Sequence, residues 1–235
     1  MARNMHVGPG TTRGSLTYFP IWGSFPGERG YSSVARAVRI TKSMSAAQVI
    51  VENGHSHPLL LRAGQLLEPG LVVARSVLVG ALTTMAVEVE PDADLPSEAE
   101  DPRDPGLRRL LRGVRPRPHQ AGVLIGVGGR PLYAEVFDAQ ATLVEQFEAI
   151  ILRAALTAHG QRHVQRNVRT PLRLAYEFLQ RFANVPAHPV GRAGVGLAFY
   201  GEDDDLEVSV LHWRGRDVQI VLVDPGHPLR QQLRG

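Results

Sequence analysis

From Leu16 to about Glu90 the apolar residues come in runs too short for helices, each cut off within a few positions by turn residues. The segments LTYFPIWG, AVRITKSM, AQVIVENG, PLLLRAG, LVVARSVLVG and TTMAVEVE are rich in Val, Ile, Leu and Thr, whose side chains favour a pleated surface. A chain so divided satisfies its backbone by pairing strands, mostly in antiparallel fashion. VIVENGHSHPLLLR reads as two strands joined by a loop carrying Asn53, Gly54 and Pro58. YSSVARAVR is the exception, with the spacing of one short helix capped by Ser32 or Ser33.

Residues 91–118 break this pattern with six prolines and a split of charge. Asp92, Asp94, Glu98, Glu100, Asp101 and Asp104 come first, followed by Arg108, Arg109, Arg112, Arg115 and Arg117. The stretch reads as an exposed insertion with a short helix at GLRRLLR. Beyond it, HQAGVLIGVGGRPLYAEVF predicts a hairpin turning at Gly128 and Gly129. Asp138 then caps a helix with an apolar face of Leu143, Val144, Phe147, Ile150, Ile151, Ala154 and Ala155, and Gly160 ends it. Thr170 and Pro171 open a second helix, as cap and first helical residue, burying Leu172, Ala175, Leu179 and Phe182 or a closely similar stripe. VGLAFYGE, LEVSVLHWRG and VQIVLVDP close the chain as a three-strand meander. The expectation is an α+β domain over 16–226, interrupted at about 91–118, with a flexible tail at 1–15 and another at 227–235.

Composition narrows the function. With 26 basic and 23 acidic residues the net charge is only +3, and Lys42 is the sole lysine. That balance, with aromatics at 6%, argues against nucleic acid as a partner. The absence of cysteine excludes disulfides, thiolate metal sites and cysteine nucleophiles. No run of eighteen apolar residues is present, so no membrane partner is expected and a cytoplasmic protein is the working assumption.

The blocks TYFPIWG, VENGHSHPLLLRAGQLLEPG with RSVLV, and QAGVLIGVGGRPLYAEVF resemble the ADP-ribosylglycohydrolase- and rhodanese-phosphatase-associated protein domain, the ARPP family. GVGLAFYGE and VQIVLV resemble its final strands, and the resemblance covers roughly residues 16–90 and 118–224. Two departures stand out. A polar Lys-Gln-Asn-Arg-like run expected after Leu67-Glu68-Pro69-Gly70 is missing, and VEVEPDADLP replaces a Cys-Val-Glu and Gly-Arg-Trp stretch. The resemblance implies a setting in ADP-ribose and phosphate metabolism, through neighbours rather than through a mechanism.

Among candidate residues, Glu135 is foremost. Alternation in PLYAEVF sets Leu132, Ala134 and Val136 on one face and Tyr133, Glu135 and Phe137 on the other. A carboxylate between two aromatic side chains loses solvent and becomes a candidate acid–base group. Gln120, Arg75 and Tyr133 are the candidate ligand-binding residues, Arg75 for its bidentate grip on phosphate or carboxylate. His55 with His57, and His159 with His163, have metal-pair spacings but read better as loop and helix-end residues. The acidic cluster from Glu202 to Glu207 reads as a charged turn, and Gly191 to Gly196 leads into a strand and not a phosphate-binding helix. No metal and no cofactor is expected. Three readings remain: a protein binding a small molecule (a nucleotide or sugar phosphate) or a protein partner, an enzyme of nucleotide or ADP-ribose metabolism using Glu135, and a structural homo-oligomer.

Overall fold

The computed structural model describes residues 5–24, 29–34, 38–45, 47–68, 70–91, 111, 113–159 and 168–229. Its strands are β1 (His6–Val7), β2 (Thr11–Arg13), β3 (Leu16–Trp22), β4 (Val38–Ser45), β5 (Gln48–Asn53), β6 (Leu59–Leu61), β7 (Leu66–Glu68) and β8 (Leu71–Val73). Then come β9 (Val77–Val79), β10 (Thr83–Pro91), β11 (Gly122–Val127), β12 (Arg130–Phe137), helix α1 (Gln140–His159) and helix α2 (Leu172–Arg181). The chain ends on β13 (His188–Ala193), β14 (Gly196–Glu202), β15 (Glu207–Trp213) and β16 (Arg216–Val223). The α+β class read from the sequence is correct.

One antiparallel sheet organises the molecule, in the order β1–β3–β11–β12–β16–β15–β14–β13, with β2 also paired to β3. β11, third in that order, is buried at every position, because both sheet faces are covered there. Val123, Ile125 and Val127 meet Leu143, Phe147, Ile150 and Ile151 of α1 on one side. Leu124, with Ala134 and Val136, meets Ala175, Phe178 and Leu179 of α2 on the other. The β11–β12 turn follows the glycine pair as expected, with φ of 59° at Gly128 and 90° at Gly129. A register shift between Ile125 and Gly126 skips Leu132. This bulge corrects the simple alternation, since Leu132 joins the α1-side core while Ala134 and Val136 keep the α2 side.

A second sheet, β4–β5–β10–β8–β7, and the ladder β6–β9 enclose a smaller core of valines and leucines. β6 and β9 join the two cores. Leu59, Leu61, Val77 and Val79 face the smaller one, whereas Leu60 and Leu78 face α1's. The junction is tied by the Val195 N–H donating to the Leu78 carbonyl at 2.9 Å.

Other expectations need correction. Ser32 bridges to Leu59 and Val38 already belongs to β4, so no helix spans YSSVARAVR; residues 35–37 lie outside the described ones. LVVARSVLVG is two strands because the chain turns at Ala74 and Arg75. Within the expected N-terminal tail, His6–Val7 and Thr11–Arg13 are paired to β3 as β1 and β2; residues 1–4 lie outside the described ones. At the other end His227 and Leu229 are buried, the former held at the Val127 carbonyl. Pro171 is the cap of α2 rather than its first residue. Leu172 is exposed, and Phe178 takes the core position expected for it. A fourth strand, β13, extends the closing meander. Gly160 and most of the 91–118 insertion, including all but Leu111 and Gly113 of GLRRLLRG, lie outside the described residues.

Gly194 makes the junction testable. Its φ is +68°, and a Cβ there would lie 2.0 Å from the Leu78 carbonyl oxygen. Gly194→Ala should therefore lower unfolding free energy by more than about 2 kcal/mol in urea titration.

Candidate functional site

β12 carries Glu135 across the centre of the sheet, paired with Val123 of β11 on one side and Val221 of β16 on the other. The row continues to Ser209 on β15 and Tyr200 on β14. Glu135 faces the α1 side and is 2% exposed. Its burial is answered by Arg62, which follows β6 and reaches Glu135 Oε2 with Nη1 at 3.3 Å. The Arg62 guanidinium also donates to Gln146 Oε1 at 3.5 Å and to the Ala63 carbonyl at 3.2 Å. Glu135 Oε1 accepts from Gln219 Nε2 at 2.5 Å. Because that amide's nitrogen is committed to the carboxylate, its oxygen is the spare group, and Gln219 Oε1 is buried with no hydrogen-bond partner.

The electrostatics follow from this geometry. Burial pushes the Glu135 carboxyl above the ordinary glutamate range. The Arg62 charge, the Gln219 amide and the Arg153 charge pull the other way without cancelling the rise. Arg153 itself donates to the Gly64 carbonyl, fixing the turn after Arg62 against α1. From Arg62 the bonding runs on through Gln146 to the Ser33 carbonyl at 2.5 Å. The segment around Ser33 is held by a second buried cluster. Tyr31 Oη donates to Asp138 Oδ1 at 2.5 Å, and Arg216 Nε lies 3.0 Å from Asp138 Oδ2. Asp138 was expected to cap the helix; its carboxylate instead joins Tyr31 and Arg216.

An open groove crosses the sheet beside this pair. It comprises cavities of about 430 Å³ and about 320 Å³ that share Ala63, Ala74, Ser209 and Val221. Glu135, Arg62 and Arg153 line the smaller one, and Gln219, Arg75 and Tyr200 the larger. The floor between them is Ala63, Ala74 and Val221 with the Ser209 hydroxyl, so the few polar groups that reach it fix how a guest can sit.

The family model described as ARG and Rhodanese-Phosphatase-superfamily-associated Protein domain matches residues 97–223, more than half of the chain. The chain belongs to the ARPP family. No curated protein matches the chain, and neither does any solved structure. The ARPP match spans β11 to β16 and so contains Glu135, Arg153 and Gln219, whereas Arg62 and Arg75 lie before it. The resemblance drawn from residues 16–90 falls outside the matched range.

Within this ARPP protein, Glu135 and Tyr133 line the same cavity, with Tyr133 Oη donating to the Ile150 carbonyl of α1 at 3.1 Å. Arg75 lines the adjoining cavity, but its side chain is 80% exposed and lies 3.5 Å from Glu88. The arginine beside Glu135 is Arg62. Gln120 is elsewhere, its amide spent on the Arg117 N–H and the Gly122 carbonyl. His55 and His57 are exposed in the β5–β6 loop; His163 lies outside the described residues. Among the described residues no three His, Cys, Asp or Glu side chains are grouped to hold a metal ion. Asp203 Oδ1 accepts the Asp205 and Leu206 N–H groups, so the acidic cluster is a charged turn. Sequence reasoning missed Arg62, Gln146 and Gln219. Each left one signal, a polar side chain amid apolar neighbours where burial is forced: LLLR, Leu143 to Phe147, and VQIVLV.

Two outcomes follow. Arg62→Met leaves the Glu135 charge buried without its partner and should cost about 3–5 kcal/mol in chemical denaturation. Adding Glu135→Gln should restore part of that loss. The second concerns pH. A carboxyl whose pKa is higher folded than unfolded favours the fold most at low pH, and that contribution is lost as pH rises through the folded value. Glu135→Gln should therefore gain stability relative to the parent as pH climbs from about 4, read from denaturation midpoints. Parallel curves for the two proteins would contradict the raised value.

Proposed function

We propose that this ARPP protein binds a small polar molecule in the groove beside Glu135 and Arg62, with Gln219 Oε1 accepting one of its hydrogen bonds. The observation carrying this reading is the unpartnered, buried amide oxygen of Gln219, a residue that lines a cavity large enough for a metabolite. A buried ion pair contributes little net stability over apolar residues of equal size. Holding Glu135, Arg62 and Gln219 at a groove is better understood as preparing a polar recognition surface than as strengthening the core. Nucleotides, ADP-ribose and sugar phosphates are the ligands to try, since the guest needs a donor for Gln219 and Arg75 stands at the rim for an anionic group. The family description speaks of association with ARG and rhodanese-phosphatase-superfamily proteins, which makes such a protein the partner class to test alongside.

The enzymatic reading draws on burial pushing the Glu135 carboxyl upward, the direction that moves a carboxylate toward acid–base use. Against it, both carboxyl oxygens are already engaged, by Gln219 and Arg62. Among the described residues, no nucleophile or second acid–base group is hydrogen-bonded to them, although Glu90, Glu207 and Ser209 line the same cavity. Turnover of a groove ligand that disappears in Glu135→Gln would favour the enzyme.

A thermal-shift and calorimetric screen tests the binding reading. Ser209 sits mid-groove and is exposed, so Ser209→Trp fills the groove without disturbing the core. A true ligand at a hundred times its Kd stabilises the parent by about 2.7 kcal/mol and should leave Ser209→Trp unchanged. A ligand that stabilises both equally does not sit in this groove.

A further inference from the structure

A separate cavity of about 180 Å³ lies on the other flank of α1, beside Phe147 and Val123, and shares no lining residue with the groove. Its polar lining is of one sign. Arg13 at the end of β2, and Arg115 and Arg117 on the segment leading to β11, all border it, and no carboxylate does. Several other arginines of this nearly neutral chain meet carboxylates, as in Arg29–Glu145, Arg130–Asp224 and Arg216–Asp138. Among the described residues, Arg13, Arg115 and Arg117 form no ion pair.

The cavity wall also carries Tyr18, only 7% exposed, whose hydroxyl lacks a hydrogen bond of normal geometry. Burial pushes this phenol up from its ordinary pKa, even with the Arg13 charge opposing, so it remains a proton donor at neutral pH. The segment bearing two of the arginines is pinned. Gln120 accepts the Arg117 N–H at 2.8 Å, and the Arg117 carbonyl accepts from Gln140 at 3.2 Å. Arg13 lies against the Tyr18 hydroxyl, and together with Arg115 and Arg117, which meet no carboxylate, it surrounds one hollow with donors that are the complement of a tetrahedral oxyanion.

We propose that this hollow is a second binding site, for a phosphate-class oxyanion, held by Arg13, Arg115 and Arg117 with Tyr18 donating from the floor. Its volume is below the roughly 300 Å³ of a typical metabolite pocket, so it accepts inorganic phosphate or one phosphoryl group of a larger molecule that remains outside. The site is independent of the groove reading and stands or falls separately.

Calorimetric titration of the full chain with inorganic phosphate, against chloride at equal ionic strength, tests it. Saturable binding to one site is expected, weakened by about tenfold or more in Arg115→Ala/Arg117→Ala. Tyr18→Phe should weaken it several-fold at an unchanged melting temperature; if that variant does not fold, the exposed arginine pair decides alone. Sulfate and a sugar phosphate as competitors distinguish free anion from phosphoryl group. Glu135→Gln and Ser209→Trp should bind phosphate like the parent. Phosphate no better than chloride, an arginine variant that binds normally, or binding lost in Glu135→Gln would each overturn the proposal.

Discussion

The contact between Glu135 and Arg62 governs how the two halves of the molecule meet. Each charge has lost its water, with side-chain exposures of 3% and 7%, and an unpaired charge at that depth costs several kcal/mol. Arg62 must therefore come to rest over the middle of the main sheet, carrying β6 and β9 with it. The remaining donors and acceptors around the pair are settled in turn by Gln219, Gln146 and the Ala63 carbonyl. The positions of Ser33, and then of Tyr31 on Asp138, follow from the same polar chain. Hydrophobic burial supplies most of the stability, but it is tolerant of small shifts. The polar chain is not, and it fixes register across an interface that apolar packing alone would leave loosely specified.

The sheet's asymmetry explains where ligands can reach. α2 and the turn after it close one face, where Phe178, Leu179 and Phe182 pack on Ile220 and Leu222. α1 covers the other face over β11 and β12, leaving a hollow on each flank. Toward β16 and β15 the floor is crossed by Glu135, Val221 and Ser209, so that hollow sets a buried carboxylate and its arginines beside both apolar and hydroxyl groups. Toward β3 the floor is Tyr18 and Val123, and the rim is arginine. The bulge at Leu132 lets Leu132 and Tyr133 both contribute to the α1 side, and Tyr133 ties the helix to the strand beside Glu135. One helix thus separates two chemically different recesses.

Local pattern made several elements legible. The strand runs, the glycine turn at Gly128 and Gly129, and the apolar stripe of α1 depend on neighbours in sequence, and each was readable there. Glu135 was legible for the same reason, because alternation with Tyr133 and Phe137 put a carboxylate on a covered face. What failed depends on distant partners. Tyr31 and Ser32 carry helical spacing, but a bond from Tyr31 to Asp138 and a bridge from Ser32 to Leu59 hold them out of a helix. Asp138 has the right place for a cap until Tyr31 and Arg216 claim its carboxylate. Arg62 and Arg75 follow comparable apolar runs, and only the crossing of β6 over the main sheet decides which of them meets Glu135.

The arginines show why composition alone says little about partners. A guanidinium beside a carboxylate is spent on structure, and pairs such as Arg216–Asp138 keep the surface field low despite the count of basic residues. What distinguishes a recognition arginine is the absence of an internal partner together with a fixed backbone. Arg75 has Glu88 near it and Arg62 has Glu135, so a ligand must compete with, or add to, an existing pair. Arg115 and Arg117 have no such competitor among the described residues, and the Gln120 amide holds the backbone of Arg117 in place. Gln120 singled itself out in the sequence as a ligand contact; in the fold its amide is fully spent on the backbone, and its effect on any anion is exerted through the arginine it positions.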